Sequence, residues 1–383
     1  MTIVAGGIRR LALVRLDRIG DFLLWVNTAR FYRRHFHEAE IVLFGNEAWA
    51  DLALAMPYWD RFVPVRVSDE NEPVVASDEL PFGHFDVLLA TQYSRTAAYD
   101  RFISGFQSIR KVAVNVQGPN LTESDYKHGN TFYSDLLDLD RAPKHELVRN
   151  FEFLNAITGA DQAPELESLA PFLRPVRHEL PDRYVAVFPG STWSKKSYPW
   201  PRFVAICRML KERSGLTSVL CGAADDKIIA ANIHRNAHGA TIDLTGVLDL
   251  AQSLRVIAGA HLVVANDSMA AHAANLLERP SVCILGGGYN VAPTLGATPI
   301  GRFFPYPHSL VSPSMQVVLE YPMPCRGCDY RCKYNSIVRD TIPCVEYIPL
   351  ASVLAAVNHL AEPLSGVHGV IHAGANVGQQ RSD

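Results

Sequence analysis

The sequence predicts an α/β protein with two Rossmann-like domains, each built on a parallel sheet. Short apolar strands alternate with amphipathic helices in both halves of the chain, and this alternation is typical of βαβ units. A chain of 383 residues also exceeds what one hydrophobic core usually holds. The segment Ala163–Pro181 contains four prolines and no hydrophobic periodicity, so it is the expected linker. We therefore predict domains over residues 1–175 and 176–350.

The individual elements follow from the hydrophobic periods. In the first domain we predict strands over 11–16, 40–44, 86–90 and 111–114, and helices over 21–35, 130–139 and 146–158. In the second we predict strands over 184–188, 217–221, 241–244, 262–265 and 281–284, and helices over 202–213, 225–236, 250–258 and 268–277. An amphipathic C-terminal helix over 351–363 is expected to return to the first domain. Residues 364–383 are rich in Gly, Gln and Ser, and we predict that they are disordered.

The first strand leads into a turn that contains Gly20 and Asp21. An aspartate at the mouth of such a turn can act as a general base if it faces a cleft. The alternative is that Asp21 only caps the following helix. The local pattern by itself favours this second interpretation.

A second polar turn, Pro189-Gly190-Ser191-Thr192, follows the buried strand 184–188. Gly190 would let the backbone approach a ligand closely, and Ser191 and Thr192 offer hydroxyl donors. Lys196 supplies a point charge suited to phosphate, whereas its neighbour Lys195 is expected to be solvated. The alternative is an ordinary polar loop whose lysines are all merely solvated.

The third turn follows the strand 262–265 and begins with Asn266 and Asp267. The next helix carries His272 in its first turns, and Asp267 or Ser268 can cap it. Free backbone N–H groups and the helix dipole at this position favour a phosphate. The alternative is a plain join between a strand and a capped helix, which every α/β protein contains.

The composition restricts the classes of partner and compartment. A net charge of −3 argues against nucleic acid as the main partner. No apolar run reaches the roughly 20 residues that span a bilayer, so we expect at most peripheral association with a membrane. The first ten residues do not have the pattern of a secretory signal, and the cytoplasm is therefore the expected compartment.

Four of the seven cysteines lie together in the segment 322–345. They follow the pattern C-x2-C-x3-C-x11-C and are Cys325, Cys328, Cys332 and Cys344. In a reducing compartment such a group more often binds a metal than forms disulfides. Four thiolates suit a tetrahedral zinc or iron ion with a structural role. The alternative is four thiols in a stiff loop.

Taken in order, the three turns resemble glycosyltransferase family 9, the ADP-heptose lipopolysaccharide heptosyltransferases and their relatives. The matching residues are the Gly20-Asp21 turn, Pro189-Gly190-Ser191 with Lys196-Ser197-Tyr198-Pro199, and Asp267 to Ala274. Weaker similarities are Phe85 to Leu89 followed by Gln92, and His145-Glu146 before Arg149-Asn150. Met269 stands where the family has glycine, Asn27 replaces a common proline and Tyr198 replaces a tryptophan.

The resemblance implies a GT-B fold, in which two Rossmann-like domains face each other across a cleft. It implies an acceptor-binding N-terminal domain and a C-terminal domain that binds a nucleotide-diphosphate sugar, with ADP-heptose as the favoured donor. The implied chemistry is inverting transfer with Asp21 as base and Lys196 stabilising the leaving diphosphate, without a cofactor in the chemical step. The remaining donor-binding positions are Gly20, Gly190, Ser191, Thr192, Asp267, Ser268, Met269 and His272. In some relatives the cysteine group resembles an iron-binding finger.

Several functions remain open on the sequence. The acceptor is a lipopolysaccharide core or related glycan by resemblance, whereas a protein or a small molecule is the alternative. A sugar-nucleotide epimerase of the same fold would need no acceptor site. A non-catalytic GT-B binding or scaffold protein is the rival from another class, and the presence of Asp21, Lys196 and Asp267 argues against it.

Overall fold

The chain forms two compact α/β units, Met1–Leu173 and Arg174–Asp383. The computed structural model describes residues 2–68, 72–74, 83–118, 120–140, 142, 144–286, 303–312, 315–325, 328, 332–337 and 340–361. The division between the units falls inside Ala163–Pro181, the segment predicted as the linker. The predicted tail 364–383 lies outside the described residues.

The sheet of the N-terminal unit has seven strands in the described part of the chain. They are β1 (Arg10–Arg15), β2 (Glu40–Asn46), β3 (Arg61–Val67), β4 (Pro73–Val74), β5 (His84–Ala90), β6 (Gln107–Val114) and β7 (Asp135–Leu137). Their order across the sheet is β4-β3-β2-β1-β5-β6-β7, and every neighbouring pair is parallel except β3 and β4. The central strands are apolar and buried on both faces, as a parallel sheet covered by helices requires.

The helices of this unit are α1 (Ile19–Trp25), α2 (Ala29–His35), α3 (Ala50–Ala53), α4 (Ala97–Ser104), α5 (Glu123–Asn130) and α6 (Glu146–Thr158). The single helix predicted over 21–35 is therefore wrong, because Val26–Thr28 forms a 3₁₀ turn between α1 and α2. The buried side chain of Asn27 donates Nδ2 hydrogen bonds to the carbonyl oxygens of Leu23 and Leu24, at 2.8 and 3.1 Å. Such bonds from a side chain to the backbone of the preceding turn commonly bend a helix.

The helix predicted over 130–139 is also wrong. Helix α5 ends at Asn130, and the hydroxyl of Thr122 caps its beginning by accepting a hydrogen bond from the Asp125 N–H at 3.1 Å. Residues Asp135–Leu137 instead form the edge strand β7 beside Val112–Val114. Pairing with a strand already in place decided the conformation of this short segment, which local periodicity could not reveal.

The sheet of the C-terminal unit has six parallel strands among the described residues. They are β8 (Tyr184–Phe188), β9 (Thr217–Leu220), β10 (Thr241–Asp243), β11 (Leu262–Asn266), β12 (Ser281–Ile284) and β13 (Gln316–Leu319). Their order is β10-β9-β8-β11-β12-β13. The fold class predicted from the sequence, α/β with two Rossmann-like domains, is confirmed.

The helices of the C-terminal unit are α7 (Trp200–Ser214), α8 (Lys227–Asn236), α9 (Leu250–Gly259), α10 (Met269–Leu276), α11 (Pro343–Glu346) and α12 (Leu350–Ala361). Helix α12 buries Val353, Val357 and Leu360 in the core of this same unit, where it packs against α7. Its apolar face is thus covered within the C-terminal unit, contrary to the expectation that this helix returns to the first domain. None of the helices in the described residues has the length and apolar character that crossing a membrane requires.

Each sheet has one position at which the chain reverses its direction of winding. In the first sheet β2, β3 and β4 lie on one side of β1, and β5, β6 and β7 lie on its other side. In the second sheet β9 and β10 lie on one side of β8, and β11, β12 and β13 lie on its other side. Loops that leave the carboxyl ends of such a strand pair diverge and form a crevice, which is the usual ligand site of open α/β sheets. The three turns singled out in the sequence follow β1, β8 and β11.

Candidate active site

Asp21 lies in the first turn of α1, directly after β1. Arg18 occupies the N-cap position, so the alternative interpretation of Asp21 as the helix cap is wrong. Asp21 is partly buried, and a carboxylate in the first helical turn is stabilised by the helix dipole. Gly20 precedes it within the same turn and is also partly exposed.

Arg15, the last residue of β1, lies beneath this turn with no exposure to solvent. Its guanidinium binds the Asp17 carboxylate through Nε at 2.9 Å and through a terminal nitrogen at 2.7 Å. It also donates to the backbone oxygens of Asp21 and Thr91, at 3.3 and 3.0 Å, and to Asn150 Oδ1 at 3.2 Å. Neither Arg15 nor Asp17 was singled out from the sequence.

Asp17 has an altered proton affinity in this position. Burial raises the pKa of Asp17 to about 7, the Asp21 and Glu146 carboxylates act in the same direction, and the Arg15 guanidinium opposes them. The pKa of Arg15 is raised, since the carboxylates of Asp17, Glu146 and Asp21 together outweigh the desolvation of its charge. The first unit therefore concentrates three carboxylates around one buried cation.

Helix α6 contributes the other wall of this cluster. His145 is the buried N-cap residue of α6, and its Nδ1 accepts a hydrogen bond from the Leu147 N–H at 3.3 Å. Glu146 is 1% exposed and Asn150 is 4% exposed. Gln92, beyond the end of β5, accepts a hydrogen bond from the Leu16 N–H at 3.2 Å. The weaker similarities noted in the sequence, Gln92 and His145 to Asn150, thus lie around the Asp21 turn.

In the C-terminal unit, Asn266 joins the loops after β8 and β11. Its buried side chain donates to the carbonyl of Pro189 at 2.6 Å and accepts from the Tyr198 N–H at 3.0 Å. Ser191 Oγ is 2.9 Å from Ser197 Oγ and donates to the carbonyl of Trp193 at 2.7 Å. The two predicted donor turns are therefore held together by hydrogen bonds. Thr192 is exposed at the surface of this loop.

Lys196 and Asp267 form an ion pair between these two loops. Lys196 Nζ lies 3.3 Å from Asp267 Oδ2, and the two side chains keep 16% and 8% of their exposure. Lys195 points elsewhere, because its ammonium donates to the carbonyl oxygen of Asn335 at 2.6 Å. The expectation that Lys195 is merely solvated is wrong. Its backbone oxygen also accepts from the Ile342 N–H at 2.8 Å, so Lys195 holds the segment before α11.

Helix α10 begins at Met269, with Ser268 in the N-cap position. The Ser268 hydroxyl makes no cap hydrogen bond and has no hydrogen-bond partner among the described residues, although its oxygen is buried. His272 lies deeper, with its ring stacked on Phe304 at a centroid distance of 4.4 Å and its Nδ1 3.1 Å from the hydroxyl oxygen of Tyr306. Contact of Ser268, Met269 and His272 with a donor stays a prediction.

Gly190 has a packing role within the C-terminal unit, and close approach of a ligand to its backbone stays a prediction. A Cβ at this position would lie 1.8 Å from Oδ1 of Asp226, in the loop after β9. The same carboxylate accepts a hydrogen bond from the Ala223 N–H at 2.9 Å and lies against Gly222. Burial raises the pKa of Asp226. Asp226 is thus part of the wall beside the Pro189–Thr192 turn, and the sequence pattern gave no signal for it.

The four cysteines do not form a metal centre among the described residues. In that part of the chain no three His, Cys, Asp or Glu side chains are placed so that they could hold a metal ion. Cys332 and Cys344 pack against the core of the C-terminal unit instead. Metal binding by the four cysteines therefore stays a prediction from the sequence.

Comparison with known proteins identifies the type of protein to which this site belongs. A model of glycosyltransferase family 9 (heptosyltransferase) matches residues 97–292, slightly more than half of the chain. No match was found among curated proteins.

Among the solved structures that match this chain are three with the same fold. The family 9 glycosyl transferase from Veillonella parvula aligns with a TM-score of 0.66 over 92% of this chain and 97% of that chain. The ADP-heptose lps heptosyltransferase II of E. coli aligns with a TM-score of 0.61 over 92% and 98% of the two chains. The E. coli heptosyltransferase WaaC, solved with ADP-2-deoxy-2-fluoro heptose, aligns with a TM-score of 0.58 over 82% and 93%. Each shares 16% identity with this chain, a level at which the likeness is one of fold.

Proposed function

The chain belongs to glycosyltransferase family 9 and is a glycosyltransferase, and from this premise we propose that it transfers a heptose from ADP-heptose to an acceptor hydroxyl with inversion. The favoured acceptor is a sugar of a lipopolysaccharide core. The donor binds the C-terminal unit at the ends of β8 and β11, and the acceptor binds the N-terminal unit at the ends of β1 and β5.

The observation that carries this proposal is the Lys196–Asp267 pair at the switch point of the second sheet. It places a cation between the Pro189–Thr192 turn and the first residues of α10. When the bond between the anomeric carbon and the diphosphate breaks, the leaving ADP gains negative charge. A fixed cation and free N–H groups near that charge stabilise the transition state more than the ground state. Asp267 does not suit direct contact with a diphosphate, since both are anionic, and we assign it the role of orienting Lys196.

In the proposed mechanism Asp21 is the general base. Its carboxylate takes the proton of the acceptor hydroxyl as the oxygen attacks the anomeric carbon from the face opposite to the diphosphate. The new glycosidic bond forms while the bond to the diphosphate breaks, and ADP leaves. No cofactor takes part in this step. The position of Asp21 in the first turn of α1, after the central strand β1, supports the assignment.

The test is the variant Asp21→Asn, which keeps the shape of the side chain but not its basicity. A general base typically contributes about 10²- to 10⁴-fold, so we expect transfer to fall by that factor while ADP affinity changes by less than about threefold. Glu123→Gln is the matched control, because Glu123 is a largely exposed carboxylate in the first turn of α5. An Asp21→Asn enzyme that keeps more than half of the wild-type rate would refute the assignment.

The assay also separates the alternatives. ADP-heptose is incubated with the protein alone, with lipopolysaccharide core, with a protein acceptor and with small-molecule acceptors. Turnover that depends on lipopolysaccharide core supports the proposal. Turnover with a protein or a small molecule would show that the proposed acceptor is wrong, while the proposed transfer reaction would stand. Turnover without an acceptor would indicate an epimerase. Binding without any turnover would indicate a non-catalytic protein.

A further inference from the structure

Arg15 is the most completely engaged side chain around the Asp21 turn. It has no solvent exposure, and its five N–H groups have a matching set of five acceptor oxygens. These are both carboxylate oxygens of Asp17, the side-chain oxygen of Asn150, and the backbone oxygens of Thr91 and Asp21. The planar guanidinium fixes the directions of all its N–H bonds at once. The turn that carries Asp21 is therefore tied to β5 and to α6 through one side chain.

Asp17 lies on the same turn and is held from both sides. Its carboxylate is bound by Arg15, and its backbone oxygen accepts hydrogen bonds from Trp49 Nε1 at 3.1 Å and from Asn46 Nδ2 at 3.3 Å. The backbone of Asp17 is thus held by the end of β2 and by the turn that follows it, whereas Arg15 holds its carboxylate. The geometry thus places a second, immobile carboxylate four residues before Asp21 in the same turn.

We propose that Arg15 and Asp17 are positioning residues for Asp21, with Arg15 fixing the turn and Asp17 compensating the charge of Arg15. The proposal rests on the proposed role of Asp21 as general base. Without Asp17, the buried cation would attract the Asp21 carboxylate and make it a weaker base. With Asp17 ionised, the two charges largely cancel and Asp21 keeps its proton affinity.

The charges around the turn agree with this division of roles. The charged groups that affect the pKa of Asp17 are Arg15 on β1, Asp21 on α1 and Glu146 on α6. Tyr32 on α2 and Tyr99 on α4 also interact with the charges of this cluster. Burial raises the pKa of both phenols, so both stay neutral. Burial is the largest cause that raises the pKa of Asp17 to about 7. The carboxylates of Asp21 and Glu146 raise it further, and the Arg15 guanidinium lowers it. Asp17 therefore changes its charge near neutral pH.

The sign of the effect on pH dependence follows from this arrangement. As the pH rises through about 7, Asp17 loses its proton and neutralises Arg15, so the basicity of Asp21 and the rate both rise. In Asp17→Asn the compensation that the Asp17 carboxylate gives to Arg15 is absent at every pH, and only the contributions of Glu146 and Asp21 remain. The pKa of Asp21 then falls, which moves the acid limb of the profile to lower pH and lowers the plateau.

The experiment measures kcat/KM against pH for the full chain and its variants. For Asp17→Asn we expect the acid limb to move down by about one pH unit or more, the size of shift that one nearby charge produces. Arg15→Lys keeps the charge but loses the fork of donors. We expect its acid limb to stay within about 0.3 of a pH unit while kcat falls by at least about tenfold, because a small misplacement of the base is costly.

Matched controls come from the opposite end of the same strand. Arg10 and Glu40 form an exposed ion pair at the amino end of β1, with 33% and 36% side-chain exposure. Arg10 and Arg15 are five positions apart along the strand, roughly 16 Å, which is beyond the screening length of about 8 Å. Arg10→Lys and Glu40→Gln should leave both the limb and the plateau unchanged.

The outcomes separate this proposal from the proposed function. If Asp21→Asn remains active, the assignment of the base fails. If Asp21→Asn is inactive but Asp17→Asn lowers the rate at every pH without moving the limb, the positioning role of the pair is refuted while the base stands. Circular dichroism and thermal unfolding establish that each variant is folded. Should Arg15→Lys not fold, Asp17→Asn decides the question alone, because asparagine keeps the volume and one acceptor oxygen.

Discussion

Removal of the Lys196 ammonium tests the donor site most directly. Its Nζ lies 3.3 Å from Asp267 Oδ2, and both side chains are mostly buried, at 16% and 8% exposure. The variant Lys196→Ala therefore has two consequences, one for binding of the diphosphate and one for the stability of the C-terminal unit.

The size of each effect can be worked out separately. A charge-assisted hydrogen bond to phosphate contributes about 1.5–3 kcal/mol, which corresponds to a roughly 10- to 150-fold rise in the Kd for ADP. Breaking a fully buried ion pair costs about 3–5 kcal/mol, and the residual exposure of Lys196 reduces this to about 2–3 kcal/mol of unfolding free energy. The double variant Lys196→Ala/Asp267→Asn should be more stable than the sum of the single changes indicates, because asparagine carries no charge that needs a partner.

Isothermal titration calorimetry with ADP and urea unfolding measure the two quantities. Lys195→Ala is the matched control, since the Lys195 ammonium contacts the carbonyl of Asn335 and not Asp267. We expect it to loosen the segment around Asn335 and to leave the Kd for ADP within about twofold, well below the effect of a lost charge-assisted bond. Equal ADP affinity in Lys196→Ala and the wild type, or a larger loss in Lys195→Ala, would show that Lys196 does not bind the diphosphate.

Two further predictions concern packing and metal. Gly190→Ala should lower the unfolding free energy by about 1–3 kcal/mol, because the new Cβ would meet Asp226 Oδ1 at 1.8 Å. Gly190→Ala/Asp226→Ala should recover most of that loss in urea titrations, and a double variant weaker than Gly190→Ala would contradict the clash. For the four cysteines we predict close to one structural zinc or iron ion per chain by elemental analysis, whereas less than about 0.1 per folded chain would leave four thiols without metal.

The sequence by itself determined the bounds of those elements that have a clear local pattern, such as an unbroken apolar run or a glycine after the last helical residue. Strands β8 and β12 have the predicted bounds, since a strand inside a parallel sheet is an unbroken apolar run. Helix α6 also has its predicted bounds, and Gly159, which follows its last residue, adopts a left-handed conformation with φ 71°. Of the four strands at the sheet edges, β10 was predicted, whereas β4, β7 and β13 were missed. Strands β7 and β13 are short and depend on one neighbour for their conformation.

The sequence also indicated which turns carry the candidate chemistry. Asp21, Lys196 and Asp267 follow β1, β8 and β11, and the three turns taken in order, through their resemblance to one family, singled them out. The pairing of Lys196 with Asp267 was not contained in that order. It depends on β8 and β11 being neighbours, although β9 and β10 separate them along the chain.

Only the tertiary structure decided which side chains support those turns. Arg15 binds oxygens that lie 76 and 135 residues away in the sequence, at Thr91 and Asn150. Asp226 closes against Gly190 from the loop of a different strand. A hydrophobic period is a property of neighbouring residues and can be read locally. The partners of a buried charge are set by the order of strands in the sheet, and that order is decided by packing over the whole unit.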